Sequence, residues 1–143
     1  MLLGEYRHNV DTKGRLAIPA KFRTDFKSGA IITRGIDSCL LVFGPKEWKE
    51  LVKKLMALPL VQANSRAFVR LMLSGATDVK LDKQGRVLIP EYLRSYAKLD
   101  KEVVLAGLYS RVEIWDTRNW DDYKTKTESS SEEIAEHLSE LGI

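Results

Sequence analysis

The sequence predicts a mainly β fold with packing helices, an α+β architecture made of two similar units in tandem. Three observations carry that expectation. The segment Asp11-Thr-Lys-Gly-Arg-Leu-Ala-Ile-Pro19 recurs as Asp82-Lys-Gln-Gly-Arg-Val-Leu-Ile-Pro90, with Asp, Gly, Arg, Ile and Pro held at a shift of 71, and Arg23 and Arg94 keep the same offset. A second block, Gly35-Ile-Asp-Ser-Cys-Leu-Leu-Val-Phe43 and then Trp48, aligns with Gly107-Leu-Tyr-Ser-Arg-Val-Glu-Ile-Trp115 and then Trp120 at a shift of 72. Short apolar runs bounded by turn residues fill both blocks, which is the pattern of strands. Self-similarity at a fixed offset marks one structural unit used twice. The expected units are residues 1–75 and 76–143. Each is marginal in size for a core of its own, so the two are expected to pack together as a pseudo-dimer.

Each unit reads in the same order. Asp11 and Gly14, and Asp82 and Gly85, stand three apart between apolar residues, the spacing of a tight turn with Asp at its start and Gly where φ is positive. A β-hairpin is therefore expected around each. Pro19 and Pro90 end the outgoing strands, and residues 20–26 and 91–97 read as one or two helical turns. Residues 30–33 with 39–43, and 103–106 with 112–115, form a second hairpin in each unit across a Gly-containing turn. Residues 45–58 place Trp48, Leu51, Val52 and Leu55 on one helical stripe between Pro45 and Pro59. Residues 64–74 give a helix opened by Asn64 or Ser65 and closed by Gly75, with no counterpart in the second unit, so it is expected to bridge the two. Residues 117–123 match the helix that starts at Pro45. Ser130-Ser-Glu-Glu133 has the form of a capping box for a last helix bearing Ile134, Leu138 and Leu141 and closed by Gly142. That helix has an acidic polar face, which suits docking rather than nucleic-acid reading.

Composition narrows the function classes. No run of apolar residues is long enough for a membrane span and no leader pattern is present, so the chain is expected to be soluble and unexported. Its 143 residues are 44% hydrophobic and 30% charged, with one cysteine, Cys39, which fits a reducing cytosol and a small core residue. Net charge is +3, unevenly placed: residues 1–72 hold 13 Lys and Arg against 6 Asp and Glu, whereas residues 73–143 hold 10 against 14. Residues 128–143 supply five Glu and no Lys or Arg. A basic body with an acidic tail points to a polyanionic partner. Nucleophile elbows, Walker loops, His-Glu-x-x-His and dinucleotide fingerprints are absent, so an enzyme, a small-molecule substrate and a cofactor are not expected. His8 and His137 stand alone, which argues against a metal site. Trp48, Trp115 and Trp120 fall on helical stripes or strands and read as core.

The start Met-Leu-Leu-Gly-Glu-Tyr-Arg-His-Asn-Val, the two Asp-x-x-x-Arg motifs at 11–15 and 82–86, and Ser74-Gly-Ala-Thr-Asp78 resemble the MraZ family of bacterial transcriptional regulators. The likeness runs over nearly the whole chain, and two motif copies, each followed by apolar-x-Ile-Pro, make it specific. It implies two AbrB-like swapped-hairpin β-barrel units and a homo-oligomer in the form of a ring. It also implies double-stranded DNA as partner, at short direct repeats before the division and cell-wall gene cluster, and hence a cytoplasmic, nucleoid-associated protein. Carried over by motif position, Arg15 and Arg86 would contact DNA, with Asp11 and Asp82 as their partners in the motif.

The residues support part of this without the resemblance. An Arg just past a hairpin turn projects from a ribbon, where its fork suits phosphate oxygens or the guanine O6/N7 pair. Lys13, Lys83 and Arg7 are candidate phosphate contacts, as are Lys21, Arg23 and Arg94, though a solvated or ion-paired face is the ordinary reading for the last two. Gly14 and Gly85 read as backbone-conformation residues. Asp11 and Asp82 are open to two readings, a turn cap only or a device that aims the arginines. Two forks per chain are too few for tight site-specific binding, so repeated subunits on repeated sites would add avidity. A second function class stays open, an antitoxin-like protein-interaction module in which nucleic-acid binding is secondary.

Overall fold

A computed structural model describes all 143 residues. The first repeat contributes β1 (Leu2–Asn9), β2 (Arg15–Ala17), a 3-10 helix (Ala20–Phe26), β3 (Ala30–Arg34) and β4 (Leu40–Phe43). Helices α1 (Pro45–Met56) and α2 (Ala63–Ser74) follow. The second repeat runs through β5 (Thr77–Val79), β6 (Arg86–Leu88), α3 (Glu91–Tyr96), β7 (Glu102–Tyr109), β8 (Val112–Asp116), α4 (Thr117–Ser129) and α5 (Ser131–Leu138), then a 3-10 turn at Ser139–Leu141. The architecture is α+β, with antiparallel strands at the centre and helices packed around them.

Strand order is where the two repeats interlock. The six-stranded sheet runs β1-β7-β8-β4-β3-β5, and a separate ribbon pairs β2 with β6. Exchanging each strand for its counterpart in the other repeat reverses that order, so the sheet has a pseudo-two-fold between β8 and β4. β1 lies on the second repeat's β7 over the register Leu2↔Tyr109 to Asn9↔Glu102, and β5 lies on the first repeat's β3. The expected hairpin around Asp11 is therefore closed only at its tip, by the Val10↔Leu16 bridge. Beyond it the strands part, one to pair with β7 and the other with β6 of the second repeat.

Side-chain alternation sorts the core into two layers. Leu16, Ile18, Phe22, Ile32 and Leu40 of the first repeat meet Val87, Ile89, Leu93, Leu105 and Ile114 of the second in one shared interior, all wholly buried. At about 1.5–3 kcal/mol for each large apolar side chain removed from water, this shared interior is what makes two marginal units one stable body. On β4, Leu40 and Val42 face that interior, whereas Leu41 and Phe43 face a second cluster with Cys39, Leu55, Met72 and Trp115. Trp48, Phe68 and Trp120 pack on the same cluster, so α1, α2 and α4 cover the outer face of the sheet. Helix α2 thus bridges the repeats through side chains of both. Burial pushes the Cys39 thiol up to about 12, and its sulfur donates to the Ile36 carbonyl at 3.0 Å.

Local details depart from the sequence expectations. Gly107 is not in a turn; it lies inside β7 opposite Gly4, and a Cβ there would come within 2.7 Å of the Leu2 and Leu3 backbone. Its absence lets β1 approach. The turn of that hairpin instead uses Tyr109 at φ 67°. Helix α2 begins at Ala63 after Gln62, without a side-chain cap from Asn64 or Ser65. Helix α4 continues past residue 123 to Ser129, opened by Asp116, whose carboxylate accepts from the Arg118 amide at 3.1 Å. The capping box of Ser130 and Glu133 makes no side-chain bond to the start of α5, because that helix follows α4 directly and Ser130 is tied back into α4. Ile134, Leu138 and Leu141 remain partly or largely exposed.

Candidate nucleic-acid interface

The two Asp-x-x-x-Arg motifs fold into nearly identical loops. In the first, Asp11 Oδ1 accepts from the Lys13 and Arg15 amides, both at 2.9 Å, and Oδ2 accepts from Arg15 Nε at 2.7 Å. In the second, Asp82 Oδ1 accepts from the Gln84 and Arg86 amides, both at 2.9 Å, and Oδ2 from Arg86 Nε at 2.8 Å. Main-chain bonds from Gly14 to Asp11 and from Gly85 to Asp82, both 3.0 Å, close the turns. The spacing follows from this. Aspartate is short enough to cap its own turn, and four residues bring the chain back so that the same carboxylate meets the Arg side chain. Gly14 and Gly85 hold φ at +84° and +77°, where a side chain is strained.

Electrostatics follow the same geometry. The Arg15 amide, then the Arg15 side chain and the Lys13 amide, hold the Asp11 carboxyl at about 2 against an ordinary 3.8, and the matching groups lower Asp82. Both carboxylates are thus fully charged and fully occupied near neutral pH. Each arginine spends its Nε on its own aspartate. The terminal nitrogens of Arg15 have no hydrogen-bond partner in the chain, and those of Arg86 have only the Asp11 carboxylate at 3.9 Å.

The ribbon decides where those forks point. β2 and β6 pair as Arg15↔Leu88, Leu16↔Val87 and Ala17↔Arg86. Opposed residues share a face and neighbours alternate, so Leu16 and Val87 enter the core while Arg15, Ala17, Arg86 and Leu88 share the outer face. Leu16 and Val87 are buried and Leu88 is 55% exposed. Both arginines therefore lie diagonally across one solvent-facing ribbon, with exposed Lys13 and Lys83 on the loops beside them. Four cations and two neutralised carboxylates leave a positive surface, and a two-stranded ribbon has the width a DNA major groove admits.

Arg7 does not join this group. It sits on β1 and bonds Asp121 of α4 at 2.8 Å, beside a Glu5–Lys124 ion pair at 3.0 Å and a Trp120 indole bond to Glu5 at 2.9 Å. The Asp121 carboxylate raises the Arg7 guanidinium and is itself lowered. This network fastens α4 to the edge strand of the sheet. No group of three or more His, Cys, Asp or Glu side chains lies close enough to hold a metal ion, and no helix is long and apolar enough to cross a membrane.

A family model described as "MraZ protein, putative antitoxin-like" matches residues 1–71 and again residues 72–141. The chain belongs to the MraZ family. Relatives named "Transcriptional regulator MraZ" are similar over essentially their full length. The one from Desulforamulus reducens is 50% identical over 141 residues, 99% of each chain. The one from Halothermothrix orenii is 50% identical over 143 residues, all of each chain, and the one from Carboxydothermus hydrogenoformans is 51% identical over 138 residues, 96% of each. Within this MraZ-family chain the position of Arg15 and Arg86 just past a tight turn was legible from the repeat. Sequence reading missed which loop Arg23 and Arg94 meet. Their offset of 71 matches that of the loop glycines, but the swap that brings each arginine to the other repeat's loop is a property of strand pairing.

Proposed function

We propose that the chain is a non-enzymatic transcription regulator that binds double-stranded DNA site-specifically, at short direct repeats in the promoter region of the division and cell-wall gene cluster. One observation carries this reading: Arg15 and Arg86 share the outer face of the β2–β6 ribbon, each with Nε fixed on an aspartate and its terminal nitrogens free of hydrogen bonds within the chain, although Arg86 also lies 3.9 Å from Asp11. A fork fixed in that way meets a base edge or phosphate with little further ordering. Lys13 and Lys83 supply phosphate contacts that position the ribbon, Asp11 and Asp82 aim the arginines, and Gly14 and Gly85 shape the loops. Arg7 is the weakest member of the set, since reaching DNA would break its ion pair with Asp121. Family membership and the name its relatives carry support the regulatory role.

One ribbon presents two forks, so tight binding needs several chains on several repeats. We take the chain to act as a homo-oligomer, as a ring, in the cytoplasm on the nucleoid; the exposed Ile134, Leu138 and Leu141 of the last helices support self-association. The test is an anisotropy titration of the DNA upstream of the chain's own coding sequence against a scrambled duplex, with light scattering on the same samples. Preferential binding by a multimer supports the reading. Equal binding to both duplexes would reduce it to a basic surface, and a stoichiometric protein partner without duplex binding would favour the antitoxin-like interaction module.

A further inference from the structure

Arg23 and Arg94 stand where a solvated helix arginine would not. Arg94, on α3 of the second repeat, bonds the Ile89 carbonyl through Nε at 3.0 Å, and its guanidinium lies against Gly14 of the first repeat. A Cβ on Gly14 would be 3.0 Å from Arg94 Cζ and 3.1 Å from Nη2. Arg23, on the 3-10 helix of the first repeat, bonds the Ile18 carbonyl through Nε at 2.9 Å and lies against Gly85 of the second, where a Cβ would be 2.5 Å from its Cζ. Main-chain bonds from Ile89 to Gly14 and from Ile18 to Gly85, both 2.9 Å, lock the same crossings. Each loop therefore carries the guanidinium of the opposite repeat beside its own.

Charge makes this arrangement informative. A guanidinium has five N–H donors, and in both residues one is spent on a main-chain carbonyl while the terminal nitrogens have no partner in the chain. Those nitrogens are in contact with solvent, because the wholly buried, unpartnered side-chain polar atom of the molecule is Thr117 Oγ1. The nearest loop carboxylates, Asp11 and Asp82, are occupied by Arg15 and Arg86. A second guanidinium beside a loop that already carries an Arg and a Lys concentrates positive charge where a phosphate oxygen would be attracted. Beside Gly14 there is room for one: Arg94 lines an open cavity of about 550 Å³ with Asp11, Thr12, Asp100 and Lys101. The Asp100 carboxylate on its wall is 3.8 Å from Arg118.

We propose that each loop is a two-arginine phosphate site shared between the repeats, Arg94 completing loop 11–15 and Arg23 completing loop 82–86. The inference rests on the DNA-binding reading above and adds its phosphate partners. The swap then has a functional result: neither repeat can form its DNA contact alone, and both loops are set by one rigid crossing.

The test is the salt dependence of binding to the upstream duplex, for the unaltered protein and for Arg23→Gln and Arg94→Gln. Each variant should bind more weakly and flatten the slope of log K against log[salt] by about 0.9, the value for one phosphate contact. Arg23→Lys and Arg94→Lys keep the charge and should keep the slope. An unchanged slope in folded Gln variants would overturn this inference alone, leaving the arginines as struts for the loops. A lack of duplex binding by the unaltered protein would overturn it together with the DNA reading. Nitrogen NMR of the arginine side chains in the unaltered protein avoids any folding defect: DNA should shift the Nη signals of Arg23 and Arg94 along with those of Arg15 and Arg86, and shifts confined to the latter pair would contradict the proposal.

Discussion

The two repeats agree most closely at their loops and least at their edges. Loops 11–15 and 82–86 reproduce three aspartate bonds to within 0.1 Å, with Oδ2 to Nε at 2.7 and 2.8 Å. Elsewhere the copies have diverged. β1 runs Leu2–Asn9 where its counterpart β5 runs only Thr77–Val79, and residues 20–26 form a 3-10 helix where Glu91–Tyr96 is α-helical. α1 and α2 both pack on the sheet, whereas α5 buries no residue. The partly exposed Asp–Arg pairs are thus duplicated closely while the edge strands β1 and β5 differ in length. The difference supports the proposal that the loop-bearing ribbon is the functional surface. Two differences remain inside the loops, Thr12 against Lys83 and Lys13 against Gln84, so that each loop carries one Lys at a different place, together with the added approach of Arg86 to Asp11 at 3.9 Å.

Breaking the loops should have the largest effect. Arg15→Ala and Arg86→Ala should each weaken duplex binding by about 1–3 kcal/mol, roughly 5- to 150-fold, if the fork reads a base. Their thermal melts should move little, since partly exposed ion pairs contribute at most about 1 kcal/mol. Binding titrations with circular-dichroism melts check both halves, and a lost melt would make that arginine structural. Next come the glycines. Gly85→Ala and Gly14→Ala should each destabilise by more than about 1 kcal/mol through the positive φ. Gly85→Ala should cost more, because its new Cβ would lie 2.4 Å from Arg23 Nε, whereas that at Gly14 would lie 3.0 Å from Arg94 Cζ. Denaturant melts order the two, and equal values would mean that the guanidinium gives way freely.

Smaller effects sharpen the remaining asymmetry. Lys13→Gln removes the first loop's one Lys and should flatten the salt slope by about 0.9, while Gln84→Lys adds a second Lys beside Lys83 and should steepen it by a similar amount. An unchanged slope in both would remove residues 13 and 84 from the phosphate contacts. The pH response is the mildest near neutrality. A carboxylate with a depressed folded pKa contributes stability above its unfolded value and loses it as pH falls through the folded one. For Asp11 the window runs from the ordinary 3.8 down to about 2, and Asp82 is displaced in the same direction. The loops should therefore keep their form between about pH 5 and 8 and lose these bonds only in strong acid. Carbon NMR of the two carboxyl groups measures the midpoints, and an Asp11 midpoint near its ordinary value would mean that the turn bonds do not form in solution.

Much of this fold was legible because strands and turns leave local marks. The Asp and Gly spacing gave both turns, and the stripe of Trp48, Leu51, Val52 and Leu55 gave α1, which ends near its expected bound. What stayed hidden depends on partners far along the chain. Nothing near Val10 says that β1 leaves its own hairpin for β7, and Gly107 looks like a turn residue until β1 is laid across it. The site divided in the same way. Arg15 and Arg86 follow from a repeated local motif, whereas the Arg7–Asp121 pair and the crossing of Arg23 and Arg94 arise only from tertiary pairing. The unformed capping box of Ser130 shows the converse, a correct local pattern overruled because the preceding helix claims the residue.

The most direct measurement is an anisotropy titration of the unaltered protein and the Arg15→Ala/Arg86→Ala double variant, each against the upstream region and a scrambled duplex at one salt concentration. The loop account predicts a clear preference for the upstream DNA that disappears in a double variant with an unchanged melt. Retained preference in that folded variant would contradict it and move recognition off the β2–β6 ribbon.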